Sequence, residues 1–181
     1  ESFRREGAPA GSFEMGEVSI TFLATIFKKV KLHTHENVGW GKIAIPEENL
    51  HTTATWMSFD AAATKGLGRD EIASGLMGIG HLARDLAPIY CLCDAGDIGA
   101  DAQVRAPYNE LPTVYLYDMV PGGVGLAEKL FDAREALMEA CLALVRACPC
   151  ENGCPGCVGP QVEPKSAAKR AAAMMLGRLA G

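Results

Sequence analysis

Large rings are scarce in this chain. Phe, Tyr and Trp make up 7% of its 181 residues, against 20 glycines. That balance disfavours a sandwich built on aromatics and points to helices packed through small residues. No apolar run is long enough to cross a bilayer, and no segment has the order of a secretory signal. Basic excess is missing too. A formal net charge of −5 excludes a domain that grips nucleic acid with its whole surface and confines any such contact to a local patch. There is no internal repeat, no low-complexity linker and no G-x-x-x-x-G-K-[ST] phosphate loop, so the ATPase machinery is absent from this sequence. The first residue is Glu, and "ESFRREGAPAGSFEMGE" opens without a hydrophobic period. The expectation is a disordered or linker segment over 1–16, cut from a longer chain, followed by a single domain over 17–181 with one sizeable core.

What the chain does have is thiols. Four of its seven cysteines fall within "CPCENGCPGC": Cys148, Cys150, Cys154 and Cys157. The count is odd and the cluster too tight for a disulfide framework, which fits a cytoplasmic protein whose thiols are held by metal. C-x-C-x3-C-x2-C places four soft ligands in one loop, and Zn²⁺ accepts four thiolates tetrahedrally without redox chemistry. Gly153 and Gly156 allow tight turning, and Pro149 and Pro155 limit the loop's freedom before binding. The Cys-x-Cys half departs from the common Cys-x2-Cys spacing. Four thiolates also suit an iron–sulfur cluster, and two local disulfides are a further alternative. Cys91, Cys93 and Cys141 read as buried, inert thiols.

The rest of the chain reads as α+β, mainly antiparallel, with packed helices and the cysteine knuckle before the C-terminal helix. Alternation over Glu17–Leu32 predicts a long strand, and "GWGKIAIP" and "LHTTATWMSF" predict two more in a meander. "GRDEIASGLMGIGHLARDLAPIY" predicts an amphipathic helix capped by Asp70 and ending before Pro88, with Gly75, Gly78 and Gly80 permitting close approach of a neighbour. "IYCLC" and "TVYLYD" predict short strands. A helix follows "VPGGVG", and a last one spans about Lys165 to Leu179.

The sequence "YLYDMVPGGVGLAEKLFD", a helix and then "CPCENGCPGCVGP", with "LHTTATW" and "CDAGDIG" upstream, resembles the C-terminal zinc-binding domain of the mitomycin repair factor A helicases, once catalogued as a domain of unknown function. The likeness runs from about Glu17 to about Leu179. It implies a structural zinc and a parent of the DEAD/DEAH-like superfamily 2 helicases, similar to ATP-driven 3′→5′ DNA translocases of repair. ATP and Mg²⁺ would then belong to two RecA-like lobes outside this sequence. The same domain type also occurs as a separate partner of a helicase in phage defence.

Several other constellations remain. The glycines of "PGGVGLAEK" (Gly122, Gly123, Gly125) outline an anion-binding turn, or simply a tight strand-to-helix connection. Asp94, Asp97 and Asp118 would suit Mg²⁺ in a nuclease if they converged, although aspartates among Ala and Gly commonly cap turns. His33 and His35 share a strand face, and His51 and His81 lack partners at any recognisable spacing. "KKVK" (Lys28, Lys29, Lys31) and the last helix (Lys165, Lys169, Arg170) are the basic places on an acidic chain. Trp40 on its glycine turn could stack on an unpaired base. The combined expectation is an accessory domain that steadies helicase motor lobes and guides single-stranded DNA. The alternatives are a stand-alone module docking on a separate helicase, or a metal-dependent nuclease.

Overall fold

The structure is a computed structural model that describes residues 2–34, 36–160 and 167–181. Five strands form one antiparallel sheet in the order β1-β2-β5-β7-β6: β1 (Ser2–Ala8), β2 (Gly11–Phe22), β5 (Glu48–Phe59), β6 (Ile98–Gln103) and β7 (Thr113–Asp118). A separate hairpin pairs β3 (Ile26–Val30) with β4 (Asn37–Lys42). The helices are α1 (Ala61–Thr64), α2 (Arg69–Cys91), α3 (Leu126–Asp132), α4 (Arg134–Ala147) and α5 (Ala168–Ala180). The α+β class with the cysteines before the last helix is as the sequence implies. None of the helices among the described residues is long and apolar enough to cross a membrane.

The core lies between one sheet face and the helices. Phe13, Met57, Phe59, Val114 and Leu116 face Leu76, Ile79, Leu130, Phe131, Leu137 and Met175. A smaller cluster of Leu50, Ala54, Trp56 and Tyr117 forms separately. Small residues let α2 approach α5 and the loop that follows the cysteines closely. A Cβ on Gly75 would meet the Ala171 Cβ at 2.8 Å, and one on Gly78 would meet Val158 at 3.0 Å, whereas at Gly80 the nearest atom is an ordinary 3.6 Å away. Gly75→Val should therefore destabilise by about 1–3 kcal/mol through overpacking. Gly80→Ala, with space available, should be neutral or gain up to about 1 kcal/mol of helix propensity. Urea denaturation of the two variants separates these outcomes.

The structure departs from the sequence expectations at several places. Of the segment expected to be a disordered linker, residues 2–16 are ordered: β1 and the start of β2 pair from Ser2↔Gly16 to Ala8↔Gly11. The charges that hid this strand find distant partners: Arg4 reaches Asp132 at 2.8 Å and lies 4.5 Å over the Phe131 ring, and Arg5 faces buried Glu14 at 3.7 Å. The long strand over Glu17–Leu32 breaks after Phe22, and its second half folds into the hairpin. In α2 the N-cap is Gly68 rather than Asp70, and the Glu71 carboxylate accepts the Gly68 N–H at 2.9 Å. The helix also runs through Pro88 to Cys91. Proline's fixed φ suits a helix, and the Leu92 N–H closes the last turn on the Pro88 carbonyl at 2.9 Å. "IYCLC" is thus mostly helix end, and the strand lies later, at β6. The helix after "VPGGVG" is two helices that meet at Ala133 (φ −90°, ψ 7°).

Candidate metal centre

Helix α4 delivers the first thiol. At Cys148 the backbone turns extended (φ −63°, ψ 128°) while its N–H still bonds the Leu144 carbonyl at 3.1 Å. The second pair closes on itself. The Cys154 carbonyl accepts from Cys157 N (3.0 Å) and Val158 N (3.1 Å), and the Cys154 N–H points at the Cys157 sulfur at 3.3 Å. Gly153, at φ 119°, passes so close to Val158 that a Cβ there would lie 2.4 Å from a valine methyl.

This backbone gathers the four sulfurs to within 4.8 Å of one another. The Sγ–Sγ separations are 3.4 Å (Cys148–Cys150), 3.6 Å (Cys148–Cys154), 3.5 Å (Cys150–Cys157) and 3.7 Å (Cys154–Cys157). Zn–S bonds of about 2.3 Å set tetrahedral edges of roughly 3.8 Å, so the donor set fits one Zn²⁺. Disulfide sulfurs would lie at about 2.05 Å, and all seven cysteines are free. A multi-iron cluster needs its thiolates spread around several irons and sulfides, which this contact spacing does not allow. The Cys150 amide, and then the Cys150 and Cys154 thiols, lower Cys148 to about 7, whereas burial raises Cys157 to about 12. A divalent cation would remove that disparity by favouring the thiolate at all four positions. Burial also raises Cys91 to about 11 and Cys141 to about 12, so both remain inert thiols at neutral pH.

Two helices grip the loop from outside. From α2, His81 Nε2 lies 2.9 Å from the Pro155 carbonyl and 3.2 Å from Asp85, while its ring packs where a Gly159 Cβ would sit. From α5, Lys169 donates to the carbonyls of Cys148 (2.7 Å) and Cys150. The sequence reading left His81 without a partner. Asp85 at i+4 was the available signal, whereas Pro155 is 74 residues away.

The other candidate residues fare differently. The turn at Gly122, Gly123 and Gly125 does hold an anion, but it is the protein's own Asp118. Its carboxylate, fully buried, accepts from Val124 N (2.6 Å), Leu126 N (3.2 Å) and Ala127 N (2.8 Å). These bonds take the amides that an outside phosphate would need. They also remove Asp118 from any set with Asp94 and Asp97, which form their own turn through Asp94 N to Asp97 Oδ2 at 2.9 Å. Among the described residues the four cysteines are the only group of three or more metal-ligating side chains brought together. Lys169 is engaged in the loop, and the exposed Arg170 pairs with Glu71. Lys165 and His35 lie outside the described residues. Lys28, Lys29 and Trp40 stand on the β3–β4 hairpin, all of β3 is exposed, and Trp40 is 65% exposed. Lys28 sits 5.5 Å over the Trp40 ring and Lys29 5.6 Å over Phe27, while Lys31 pairs with Glu36 at 2.6 Å.

Comparison with known proteins completes the picture. The family model for the MrfA Zn-binding domain matches residues 79–158. An uncharacterized protein of Methanocaldococcus jannaschii, MJ1572.1, is 32% identical over 83 residues, which cover 44% of this chain and 74% of that protein. The chain belongs to the MrfA Zn-binding domain family. A second relative, the uncharacterized ATP-dependent helicase YprA of Bacillus subtilis (strain 168), is 40% identical over 159 residues, covering 88% of this chain. The chain spans about a fifth of YprA's length, 21%. Among solved structures, the DUF1998 helicase MrfA bound to DNA superposes with a TM-score of 0.78 at 37% identity, over 98% of this chain and 24% of that one. MrfA without a stated ligand gives 0.68 at 32% identity, over 98% of this chain and 22% of that one. This MrfA-type domain therefore has helicase homologues and carries a cysteine set suited to zinc.

Proposed function

We propose that this chain is the C-terminal accessory domain of an ATP-dependent DNA helicase of 3′→5′ polarity acting in cytoplasmic DNA repair. Cys148, Cys150, Cys154 and Cys157 hold a structural Zn²⁺. The carrying observation is the contact-spaced sulfur set within a fold shared with a DNA-bound helicase. When bound, the ion supplies cross-linking and no chemistry, since four protein thiolates leave no position open for water or substrate. ATP hydrolysis belongs to motor lobes that the domain steadies.

The hairpin is the proposed contact for single-stranded DNA. Lys28 and Lys29 lie over exposed rings, which offers phosphate neutralisation and a stacking platform together on a chain of net charge −5. The test is anisotropy titration of a labelled oligonucleotide with Trp40→Ala, Lys28→Ala and Lys29→Ala. Losing one base stack, worth about 1–3 kcal/mol, should weaken binding about 10- to 100-fold. Losing both lysines should flatten the log–log salt dependence by about 1.4, at about 0.7 per single-strand phosphate contact. Melting temperature should not move, because these side chains pack on no core. Wild-type affinity in all three variants would reject the hairpin as the DNA contact.

A stand-alone module that partners a separate helicase is the second reading. MJ1572.1 favours it, because 83 aligned residues already make up 74% of that protein. RecA-like motifs in the same reading frame would decide for the fused form.

A further inference from the structure

The two halves of the cysteine site are held in different ways. Cys154 and Cys157 sit in a turn that closes through its own backbone, with both amide-to-carbonyl bonds and the amide-to-sulfur contact inside residues 154–158. Cys148 and Cys150 have no such turn, since a single intervening residue is too few to form one. Their carbonyls are instead tied together from outside, by the Lys169 ammonium.

Lys169 is also in an electrostatically awkward place. It occupies the first turn of α5, next to Arg170 and with no acidic residue in that turn, at the helix end that repels cations. Arg170 is compensated by Glu71. Among the described residues no carboxylate lies within ion-pair distance of Lys169. A dication on four thiolates would be a centre of net charge −2, and Cys157, one of the four, is fully buried. Such a centre, partly removed from water, requires a nearby cation or hydrogen-bond donors. The half-buried ammonium beside the first two ligands meets that need, and the centre accounts for a lysine at the wrong end of a helix.

We infer that Lys169 is a positioning residue for the metal, clamping the Cys-x-Cys half in ligand geometry and offsetting the charge of the four-thiolate centre. The inference rests on the zinc reading above, and one set of measurements separates the two. Zn²⁺ affinity is read by competition with a chromophoric chelator, and ligand geometry by the thiolate-to-metal bands of the Co²⁺ form. Lys169→Met should lower affinity about 10- to 100-fold, the usual effect of removing a group that orients metal ligands, while Lys169→Arg should recover most of the loss. Arg170→Met is the control. It breaks the Glu71 pair on the same turn and should leave metal affinity unchanged.

If wild-type chain binds neither Zn²⁺ nor Co²⁺, the zinc reading itself fails. If wild type binds tightly and Lys169→Met binds equally well, only the role of Lys169 fails. Should Lys169→Met not fold, Lys169→Gln keeps donor groups without the charge. Metal transfer to the chelator faster than wild type supports the inference, and an unchanged rate overturns it.

Discussion

A Cys154→Ser chain is expected to carry almost no zinc and to melt about 10 °C or more below wild type. The substitution removes little besides the sulfur. Cys154 holds its turn through its backbone, accepting from Cys157 and Val158, and serine can keep those bonds. What serine cannot supply is an anionic ligand at neutral pH, and a centre with three thiolates and a hydroxyl loses most of its affinity. Zinc binding in small domains is worth about 10–16 kcal/mol of apparent folding free energy. Here the sheet and helices have their own core, so a smaller share, about 4 kcal/mol or more, is expected to appear as lost stability. At about 2–4 °C per kcal/mol for a chain of this size, that gives the stated shift. Elemental analysis and thermal melts check both parts. Wild type treated with chelator should melt where the variant does, and acidification should release the metal, because protons compete for the same sulfurs. A variant that kept one equivalent of zinc and the wild-type melt would refute the assignment.

Asp118→Ala should be nearly as damaging, with no metal involved. The carboxylate lies at the end of an interior strand, is fully buried, and accepts from three amides at the start of α3. Alanine strands those donors, each costing about 1–3 kcal/mol when unsatisfied. Because water can enter and the turn can relax, we expect about 3–5 kcal/mol in all rather than the full sum. The turn cannot reshape freely. Gly123 (φ 74°) lies against Thr53, where any Cβ would fall 2.2 Å from the hydroxyl oxygen. Asp118→Asn is the informative companion, since its amide nitrogen must face a donor wherever it points, so it should recover only part of the loss. Metal content should be normal in both variants, and chemical denaturation measures the costs.

These two sites show what the sequence could and could not reveal. The cysteines were legible because metal ligation imposes a local spacing. Asp118 was visible as a strand-end acid beside a glycine turn, but whether the turn faced an outside phosphate or its own carboxylate depended on how β7 meets α3. His81 and Lys169 act on carbonyls 74 residues and 19–21 residues away, and a carbonyl belongs to every residue and so leaves no mark in sequence. In the fold, β5 and the body of α2 carried strong periodicity, and β7 was legible as a short apolar run. β6 was missed because "IGADAQ" has one β-branched residue and takes its order from pairing with β7. β1 was missed because its charges have partners up to 128 positions away.

The β2–β5 ladder runs for 12 residues on each side and leads directly to the hairpin. At about 3.4 Å per residue, that is about 40 Å of paired ribbon. Insertions into or deletions from both strands at the outer end of this ladder would change how far the tip reaches without disturbing the main core. They must, however, add or remove an even number of residues on each strand, since an odd step would swap which side chains face up and which face down. Across family members, variation in this arm should therefore come in matched steps of about 7 Å, two residues on each strand at a time.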